Sequence, residues 1–466
     1  MTSQGTFPQR VAACLADGRV VQAVHEATLR KVEARAAAFA QLRDGDRLRE
    51  LAAQIRQHTL ANLPHYLERF VAAARANGAQ VHFAPDAAGA RAIISGIARE
   101  RGCRLAVKSK SMTSEEVALN DALQAVGVRV VETDLGEFIV QIDHDRPSHI
   151  VTPIIHKNRR QVAEALARET GCDYTEDPRE LTLSARRYLR EIFRRCDLGI
   201  SGANFAVAET GTICLCTNEG NGRMTVSRPR VHIALLGIEK LVPRLRDLPV
   251  FLKLLARSST GQPLTVYTTL INGPRRGDDA DGPAELHIVL LDNGRSEILT
   301  GPFAEVLRCI RCGACLNACP VFRNISGHAY GSVYPGPIGS LLTPLLAGLQ
   351  QHAELPRASS LCGACQLVCP VKIDIPQLLI RLRARTTGDQ PLSKRVGMRL
   401  WRGLVGSAAL FEWAQRMLRR LLRPERDGWI RDGWGPAGKW LEVRDLPPIP
   451  RRSFRRLWRE ELSNER

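Results

Sequence analysis

Seven of the chain's thirteen cysteines fall into two short runs, and the spacing within each run is typical of iron–sulfur ligation. The first run is Cys309-Ile-Arg-Cys312-Gly-Ala-Cys315-Leu-Asn-Ala-Cys319-Pro, and the second is Cys362-Gly-Ala-Cys365-Gln-Leu-Val-Cys369-Pro. The first run has the two-two-three spacing and closing proline of bacterial ferredoxins. The second keeps the last three cysteines and the proline, but Ser359 stands where its first cysteine would fall. The spacing therefore predicts two clusters, the second with an open fourth ligand.

In such runs the fourth cysteine ligates the other cluster. We therefore assign Cys309, Cys312, Cys315 and Cys369 to cluster one, and Cys319, Cys362 and Cys365 to cluster two. The fourth ligand of cluster two stays open between the Ser359 hydroxyl, a water or substrate oxygen, and a cysteine from elsewhere in the chain. The pair Cys214 and Cys216 is the best such donor, because residues two apart in a strand share a face. A three-iron cluster, which needs only three thiolates, also fits.

Zinc and disulfides are the competing interpretations of the cysteines. Structural zinc sites usually combine separated CxxC pairs, or a CxxC pair with histidines, and two Cys-Pro runs fit that pattern poorly. Disulfides are disfavoured because the chain starts without a charged, apolar and small-residue signal segment, and clustered thiols in a cytosolic protein indicate metal binding or catalysis. The remaining cysteines are interpreted as buried inert thiols.

The length of 466 residues predicts about three domains, and no apolar run approaches the roughly 18 residues that span a bilayer. We therefore expect a cytoplasmic protein, with peripheral contact at the inner face of the membrane as an option. The net charge is +18, and the part from Arg381 onward has 21 Lys and Arg against 10 Asp and Glu. All six tryptophans also lie in this tail.

The segment Lys394–Arg423 has the pattern of an interrupted amphipathic helix with arginines between its apolar residues. Such a helix can lie in a membrane interface, where basic residues are attracted to anionic lipid. The alternative, which we favour, is that this helix packs on its own protein or on a partner subunit. Nucleic acid is not expected as a partner, because no recognisable binding module accompanies the charge.

The first 80 residues have a helical composition, and from about residue 81 short apolar strands alternate with helices. This alternation predicts an α/β architecture with a mainly parallel sheet. The predicted strands are Val81–Ala84, Arg104–Val107, Val128–Glu132, Phe138–Ile142, Leu198–Ser201, Thr212–Thr217, His232–Leu236, Leu264–Ile271 and Leu286–Leu291. We expect the acidic turn Arg275–Gly282 to link the last two strands as a hairpin. Gly- and Pro-rich residues separate the two cysteine runs.

Polar residues gather at several predicted strand ends, where open α/β sheets bind their ligands. Lys108, Lys110 and Arg223 could hold an anion, and Glu132, Asp134, Glu209 and Glu219 could act as acid, base or hydrogen-bond partner. The alternative is turn and capping chemistry, which the same residue types serve. For His149 and His156 we favour a structural role.

Four segments quoted in order carry a resemblance: Lys108-Ser-Lys-Ser-Met112, Glu132-Thr-Asp-Leu-Gly-Glu137, Gly202-Ala-Asn-Phe-Ala-Val-Ala-Glu-Thr-Gly211 and Thr217-Asn-Glu-Gly-Asn-Gly-Arg223. Together with the two cysteine runs and the basic tail, they resemble the lactate utilization protein B family. That family provides the iron–sulfur subunit of a bacterial L-lactate oxidation system. The resemblance extends from about residue 60 to the end, and the absence of a cysteine at position 359 agrees with it.

The resemblance implies a LUD-type α/β domain, similar to the CoA-transferase and formyltetrahydrofolate cyclo-ligase folds, followed by an α-helical two-cluster ferredoxin-like domain and a basic helical tail. The expected boundaries are 1–65 for an N-terminal helical segment, 66–295 for the LUD-type domain, 300–385 for the ferredoxin-like domain and 386–466 for the tail. It also implies two [4Fe-4S] clusters held by the seven cysteines, and a cysteine-rich and a LUD-type partner subunit.

Two functions follow from the resemblance and the motifs. The first is a non-catalytic electron-transfer subunit in the oxidation of L-lactate to pyruvate, with an electron acceptor that the sequence does not identify. The second is a catalytic unit in which the α/β domain itself binds and converts an organic acid or acyl compound, with the clusters as auxiliary redox centres.

Overall fold

A computed structural model describes residues 5–386, 392–421, 427–433, 438, 441–442, 444–450 and 452–461 of the chain. One compact unit extends to Thr386, and the residues after it form the second. The first unit contains the α/β layer and both cysteine runs. The second contains the basic tail.

Ten strands of the first unit form two sheets. They are β1 (Gln80–Ala84), β2 (Leu105–Lys108), β3 (Arg129–Glu132), β4 (Leu198–Ser201), β5 (Phe205–Val207), β6 (Thr212–Thr217), β7 (Val231–Gly237), β8 (Leu241–Val242), β9 (Tyr267–Ile271) and β10 (Glu285–Leu291). The larger sheet has the order β1-β10-β7-β4-β2-β3, and all its neighbouring strands are parallel. Every residue of β7 is buried, as expected for a central strand covered on both faces. The predicted α/β architecture with a mainly parallel sheet is confirmed.

The smaller sheet has the order β8-β5-β6-β9, and it is antiparallel except where β8 pairs with β5. Helices cover and connect the two sheets. They are α5 (Ala87–Glu100), α6 (Met112–Glu116), α7 (Leu119–Ala125), α8 (Leu135–Ile142), α9 (Arg159–Thr170), α10 (Pro178–Arg195), α11 (Asn221–Ser227), α12 (Leu248–Ser259) and α13 (Arg295–Thr300).

Two sequence predictions within this layer are wrong. Phe138–Ile142 is not a strand but the end of helix α8, because a short apolar run does not distinguish a strand from a buried helix. The missed signal is the helix start, where the Asp134 carboxylate accepts a hydrogen bond from the amide of Glu137. The expected hairpin around Arg275–Gly282 is also wrong, since β9 pairs with β6 in the smaller sheet and β10 lies between β1 and β7 in the larger one.

The N-terminal helices connect the α/β layer with the cysteine segment. They are α1 (Phe7–Ala16), α2 (Gly18–Ala40), α3 (Gly45–Ala61) and α4 (Leu63–Ala76). Val24 of α2 and Ala52 of α3 pack in the same buried cluster as Cys312 and Leu316. Arg49 of α3 also donates hydrogen bonds to main-chain carbonyls of the second cysteine run, including that of Cys369 at 2.9 Å. The cysteine segment is therefore built into the body of the first unit.

The cysteine segment itself is helical. Its helices are α14 (Ala314–Ala318), α15 (Pro320–Ile325), α16 (Gly336–Ala347), α17 (Ala364–Val368) and α18 (Ile375–Arg385). The connection between the runs is dominated by α16, whose residues Gly336 to Pro344 are all buried. This insertion is thus part of the core and places the two runs against each other.

The tail contains α19 (Leu392–Gly406), α20 (Ala408–Leu421) and α21 (Phe454–Glu460). The predicted interrupted helix corresponds to α19 and α20, although its end at Arg423 lies outside the described residues, as do Trp434 and Trp440. Trp401 and Trp413 are more than half exposed. None of the described helices is long and apolar enough to cross a membrane.

Candidate iron–sulfur centres and the adjoining cleft

The two cysteine runs have the same local backbone. Arg311 and Leu361, which precede the CGAC segments, have left-handed φ angles of 59° and 56°. Gly313 and Gly363 are also left-handed, at 77° and 82°, a conformation that glycine adopts without strain. Each glycine is followed by a five-residue helix, α14 or α17, and then by a Cys-Pro pair. The repeated sequence therefore folds as a structural repeat, which supports two comparable centres.

The first group of thiols combines three cysteines of run one with the last cysteine of run two. One narrow, mostly apolar cavity is lined by all four of them, Cys309, Cys312, Cys315 and Cys369, together with Ile150 and Arg311. Burial raises the pKa of Cys369 to about 11 and raises the pKa of Cys315 well above its usual range. Such thiols become stable as thiolates only when a positively charged group compensates them, and ligated iron provides that charge.

The second group combines Cys319 of run one with Cys362 and Cys365 of run two. Burial raises the pKa of Cys365 to about 12, and the neighbouring thiols of Cys319 and Cys362 add to the rise. Cys362 is exposed, and hydrogen bonds from the Ala364 amide and the Ser360 hydroxyl lower its pKa. The second group therefore reaches the surface at Cys362, although its Cys319 and Cys365 are as buried as Cys312, Cys315 and Cys369 of the first.

The separation of the sulfurs favours a multi-iron group over a single zinc ion. Tetrahedral zinc with Zn–S bonds of about 2.3 Å brings its thiolates to about 3.8 Å from each other. Among the residues that the structure describes, no three cysteine sulfurs lie within 4.8 Å of one another. The first group instead lines a cavity, so its donor set and geometry fit a cluster better than a single zinc ion.

Main-chain amides also donate hydrogen bonds to the sulfurs of Cys309, Cys319 and Cys369. The Arg311 amide lies 3.4 Å from the Cys309 sulfur, the Phe322 amide 3.5 Å from that of Cys319, and the Ile373 amide 3.3 Å from that of Cys369. Hydrogen bonds to sulfur are one of the factors that set a cluster's reduction potential. These loops therefore position the thiols and would also influence the reduction potential of a bound cluster.

Ser359 occupies the position in run two that Cys309 occupies in run one. The Leu361 amide donates to the Ser359 Oγ at 3.1 Å, just as the Arg311 amide donates to the Cys309 sulfur. In contrast, Cys214 and Cys216 pair with each other, their sulfurs 3.9 Å apart. Their hydrogen bond, followed by burial, raises the pKa of Cys214.

The α/β candidate residues separate into four locations. Lys108 and Glu132 form a buried ion pair of 2.7 Å at the ends of β2 and β3, and Glu115 completes it. Although burial alone would lower it, the two carboxylates raise the pKa of Lys108. This arrangement serves to hold the strand ends together. Neither Lys108 nor Glu132 lines the adjoining cleft.

Lys110, Asp134 and Glu219 line a single cleft at the carboxyl ends of the parallel strands. Glu137 contacts Lys110 at 3.3 Å, and burial raises the pKa of its carboxyl to about 7 while Lys110 opposes the rise. Glu209 and Arg223 are not part of the cleft. Glu209 accepts a hydrogen bond from the Leu245 amide at 2.9 Å, and Arg223 is exposed on α11.

The two histidines contact their neighbours rather than the cleft. His149 is buried, and its Nδ1 accepts hydrogen bonds from the amides of Val151 and Thr152, while its Nε2 lies 3.0 Å from Asn317. Burial lowers its pKa well below the usual value, so the ring is neutral. His156 lies 2.9 Å from the Asp145 carboxylate.

Sequence reasoning missed two cationic residues of the cleft, Lys240 and Arg311. The cleft has a volume of about 490 Å³, within the usual range for small-molecule sites. Arg311 belongs to the first cysteine run, so the cleft extends from the strand ends to the loop that carries Cys309 and Cys312. No local pattern could reveal this, because the contact joins segments two hundred residues apart.

A buried ion network fixes that loop to the α/β layer. The Arg295 guanidinium lies 2.6 Å from Glu239 and 2.8 Å from Glu116. Glu116 accepts a hydrogen bond from the Tyr334 hydroxyl at 2.7 Å, and Glu239 contacts Arg311 at 3.4 Å. Because buried charges require partners, this network gives the two parts of the unit a defined relative position.

Comparison with known proteins agrees with this arrangement. The LUD domain family matches residues 67–291, the 4Fe-4S dicluster domain family residues 305–373, and the family described as lactate utilisation protein B, C-terminal, residues 382–463. Lactate utilization protein B of Bacillus cytotoxicus is 43% identical over 98% of each chain. This chain belongs to the lactate utilization protein B family. The family member of Shouchella clausii is 45% identical over 97% of this chain and 96% of its own.

Membership in this family confirms three expectations: a LUD domain, a 4Fe-4S dicluster segment and a role in lactate utilization. A solved structure of a DUF162 family protein from Deinococcus radiodurans also matches, over 49% of this chain and 98% of its own, with 16% identity and a TM-score of 0.28. That similarity is too low to add to the description of the site.

Proposed function

We propose that this protein is the electron-transfer subunit in the oxidation of L-lactate to pyruvate by the lactate utilization system. The observation that supports this most directly is the arrangement of the thiols into two adjacent groups that exchange one cysteine each, Cys319 and Cys369. When bound, iron–sulfur clusters supply one-electron transfer. A chain that holds two of them side by side can therefore carry electrons between a substrate site and a partner.

The burial of the two groups suggests a direction for that transfer. The first group adjoins the interior cleft, since Arg311 and Ile150 line both cavities. The second group is nearer the surface, where Cys362 is exposed and Leu367 is 73% exposed. We infer that the second group faces the electron-transfer partner.

Growth on L-lactate tests the proposed function. In a strain that lacks its own copy of this protein, we expect the wild-type chain to restore growth and Cys312→Ala or Cys365→Ala to abolish it. Each substitution removes a buried thiol from one of the two groups. Cys103→Ala is the matched control, because Cys103 is equally buried but packs in a different cluster of the α/β layer. Undiminished growth with both Cys312→Ala and Cys365→Ala would contradict the electron-transfer role.

We further propose two four-iron clusters, with the Ser359 oxygen as the fourth ligand of cluster two. The support is the structural repeat, in which Ser359 and Cys309 hold equivalent positions and accept equivalent hydrogen bonds. We expect Ser359→Ala to lose about one iron per chain and show the EPR signal of a three-iron cluster, whereas Ser359→Cys keeps all four irons. An unchanged iron content and spectrum in Ser359→Ala would exclude this ligand.

We propose as partners a cysteine-rich subunit and a second LUD-type subunit of the same system. The exposed apolar residues of α19 and α20, including Trp401 and Trp413, supply a surface for one of these subunits. Peripheral contact with the inner face of the membrane is the alternative. Co-sedimentation of the full chain with phosphatidylglycerol vesicles measures it, and failure to bind them would exclude the membrane.

A further inference from the structure

Three cationic side chains from distant parts of the chain converge on the cleft. Lys110 follows β2, Lys240 follows β7, and Arg311 lies in the first cysteine run. All three are largely buried, with side-chain exposures of 18% for Lys110 and 8% for Arg311. Buried cations require compensating negative charge, and here three of them share one space.

The protein itself satisfies these cations incompletely. The Lys110 Nζ and the Arg311 Nη1 are buried, and neither has a hydrogen-bond partner among the described residues. Their ion contacts are long, 3.3 Å from Lys110 to Glu137 and 3.4 Å from Arg311 to Glu239. Buried donors are nearly always paired in folded proteins, so these two groups are left to bind a water or a ligand atom in the cleft.

The two acidic residues that line the cleft, Asp134 and Glu219, accept hydrogen bonds from main-chain amides. Asp134 accepts a hydrogen bond from the Glu137 amide, and Glu219 accepts one from the Leu135 amide, so both carboxylates cap the start of α8. Lys240, the third cation of the cleft, is only 8% exposed.

The rest of the lining favours an organic anion over an inorganic one. Apolar side chains, among them Ile150, Leu215 and Leu255, form part of the wall, and the hydroxyl and amide groups of Thr113 and Asn204 form another part. A carbon chain gains from contact with the apolar wall, and a hydroxyl or keto oxygen can bond to the polar one. Phosphate or sulfate would gain nothing from the apolar part.

The cleft also adjoins cluster one. Arg311 and Ile150 line both the cleft and the cavity of the first thiol group, and the Arg311 amide donates to the Cys309 sulfur. The same residue thus contacts the proposed anion through its guanidinium and a cluster ligand through its main chain.

We propose that this cleft binds a small 2-hydroxy or 2-oxo acid, with its carboxylate held by Lys110, Lys240 and Arg311 beside the first thiol group. The proposal deepens the proposed function and rests on it, because an organic acid bound in the cleft would supply the electrons that the clusters carry. A three-carbon acid fills only part of about 490 Å³, so longer 2-hydroxy acids are also expected to enter.

Calorimetric titration of the full chain, purified anaerobically, tests the proposal with L-lactate, pyruvate, 2-hydroxyisovalerate and inorganic phosphate as probes. We expect saturable binding of at least one organic acid, weaker binding of phosphate, and at least a tenfold loss of affinity in Lys110→Met. Lys110→Met/Glu137→Gln, which also removes the carboxylate that Lys110 neutralises, should show the same loss. Iron content and EPR spectrum should stay unchanged in both.

The control is Lys253→Met, which removes the same charge from an exposed position on α12 and should bind as tightly as wild type. Binding of none of the organic acids, phosphate binding as tight as theirs, or full affinity in both Lys110 variants would overturn the proposal. These results are distinguishable from failure of the electron-transfer role. If Cys312→Ala and Cys365→Ala abolish growth while no acid binds, the proposed function stands and only the cleft assignment fails.

Discussion

Cys369→Ala is expected to remove cluster one and leave cluster two in place, although Cys369 belongs to the second run. The reason is the crossed arrangement, in which Cys369 lines the same cavity as Cys309, Cys312 and Cys315. Cys319→Ala is expected to do the reverse, because the Cys319 thiol faces Cys362 and Cys365. Each variant should lose about half of the iron and sulfide of the wild-type chain.

EPR of the reduced proteins separates the two clusters, so the comparison shows which one each variant keeps. The matched pair is Cys309→Ala and Cys365→Ala, whose spectra should coincide with those of Cys369→Ala and Cys319→Ala respectively. Cys172→Ala, which changes a thiol outside both runs, should retain both clusters. If Cys369→Ala instead matches Cys365→Ala, each run holds its own cluster and the crossed assignment is wrong.

Arg56→Met is expected to destabilise the first unit by about 3–5 kcal/mol, because it removes a buried hydrogen-bond network. Arg56 of α3 is 1% exposed, and its guanidinium donates to four main-chain carbonyls: Leu241 at 2.8 Å, Leu307 at 2.7 Å, Glu239 at 2.5 Å and Arg308 at 3.3 Å. Methionine keeps most of the volume but leaves these acceptors buried without donors. The Leu307 and Arg308 carbonyls immediately precede Cys309, so the loop of cluster one should loosen as well.

Thermal unfolding followed by circular dichroism under anaerobic conditions measures the effect. A loss of this size should lower the melting temperature by about 5–10 °C, and cluster one should be released at a lower temperature than in wild type. Arg47→Met, an exposed position on the same helix, is the control and should melt as wild type does. Equal melting temperatures for Arg56→Met and Arg47→Met would contradict the role assigned to these hydrogen bonds.

The sequence predicted the features that depend on local spacing. The cysteine runs indicated the two thiol groups, and the alternation of strands and helices indicated the parallel sheet. The two errors have different causes. The apolar run Phe138–Ile142 follows a local helix start at Asp134, which the strand prediction overlooked. The turn before β10 contains no information about which strands pair, and β9 pairs in a different sheet from β10.

The parts of the site that the sequence did not predict depend on contacts between distant segments. No sequence motif predicts the contacts of Arg56, Lys240 or Arg311. These contacts form only when α3, the end of β7 and the first cysteine run come together. Conversely, the sequence predicted Lys108 and Glu132 as ligand-binding residues at strand ends, but their side chains form an ion pair with each other. A charged residue at a strand end therefore predicts a polar contact, and only the fold shows whether a ligand or a neighbour supplies it.

Iron and sulfide analysis of the anaerobically purified protein, together with EPR, tests most directly whether this chain holds two iron–sulfur clusters. We expect a brown protein with about eight iron atoms and eight sulfides per chain, and reduced spectra from two four-iron clusters. A colourless protein that contains zinc, or a protein with the iron of a single cluster, would contradict it.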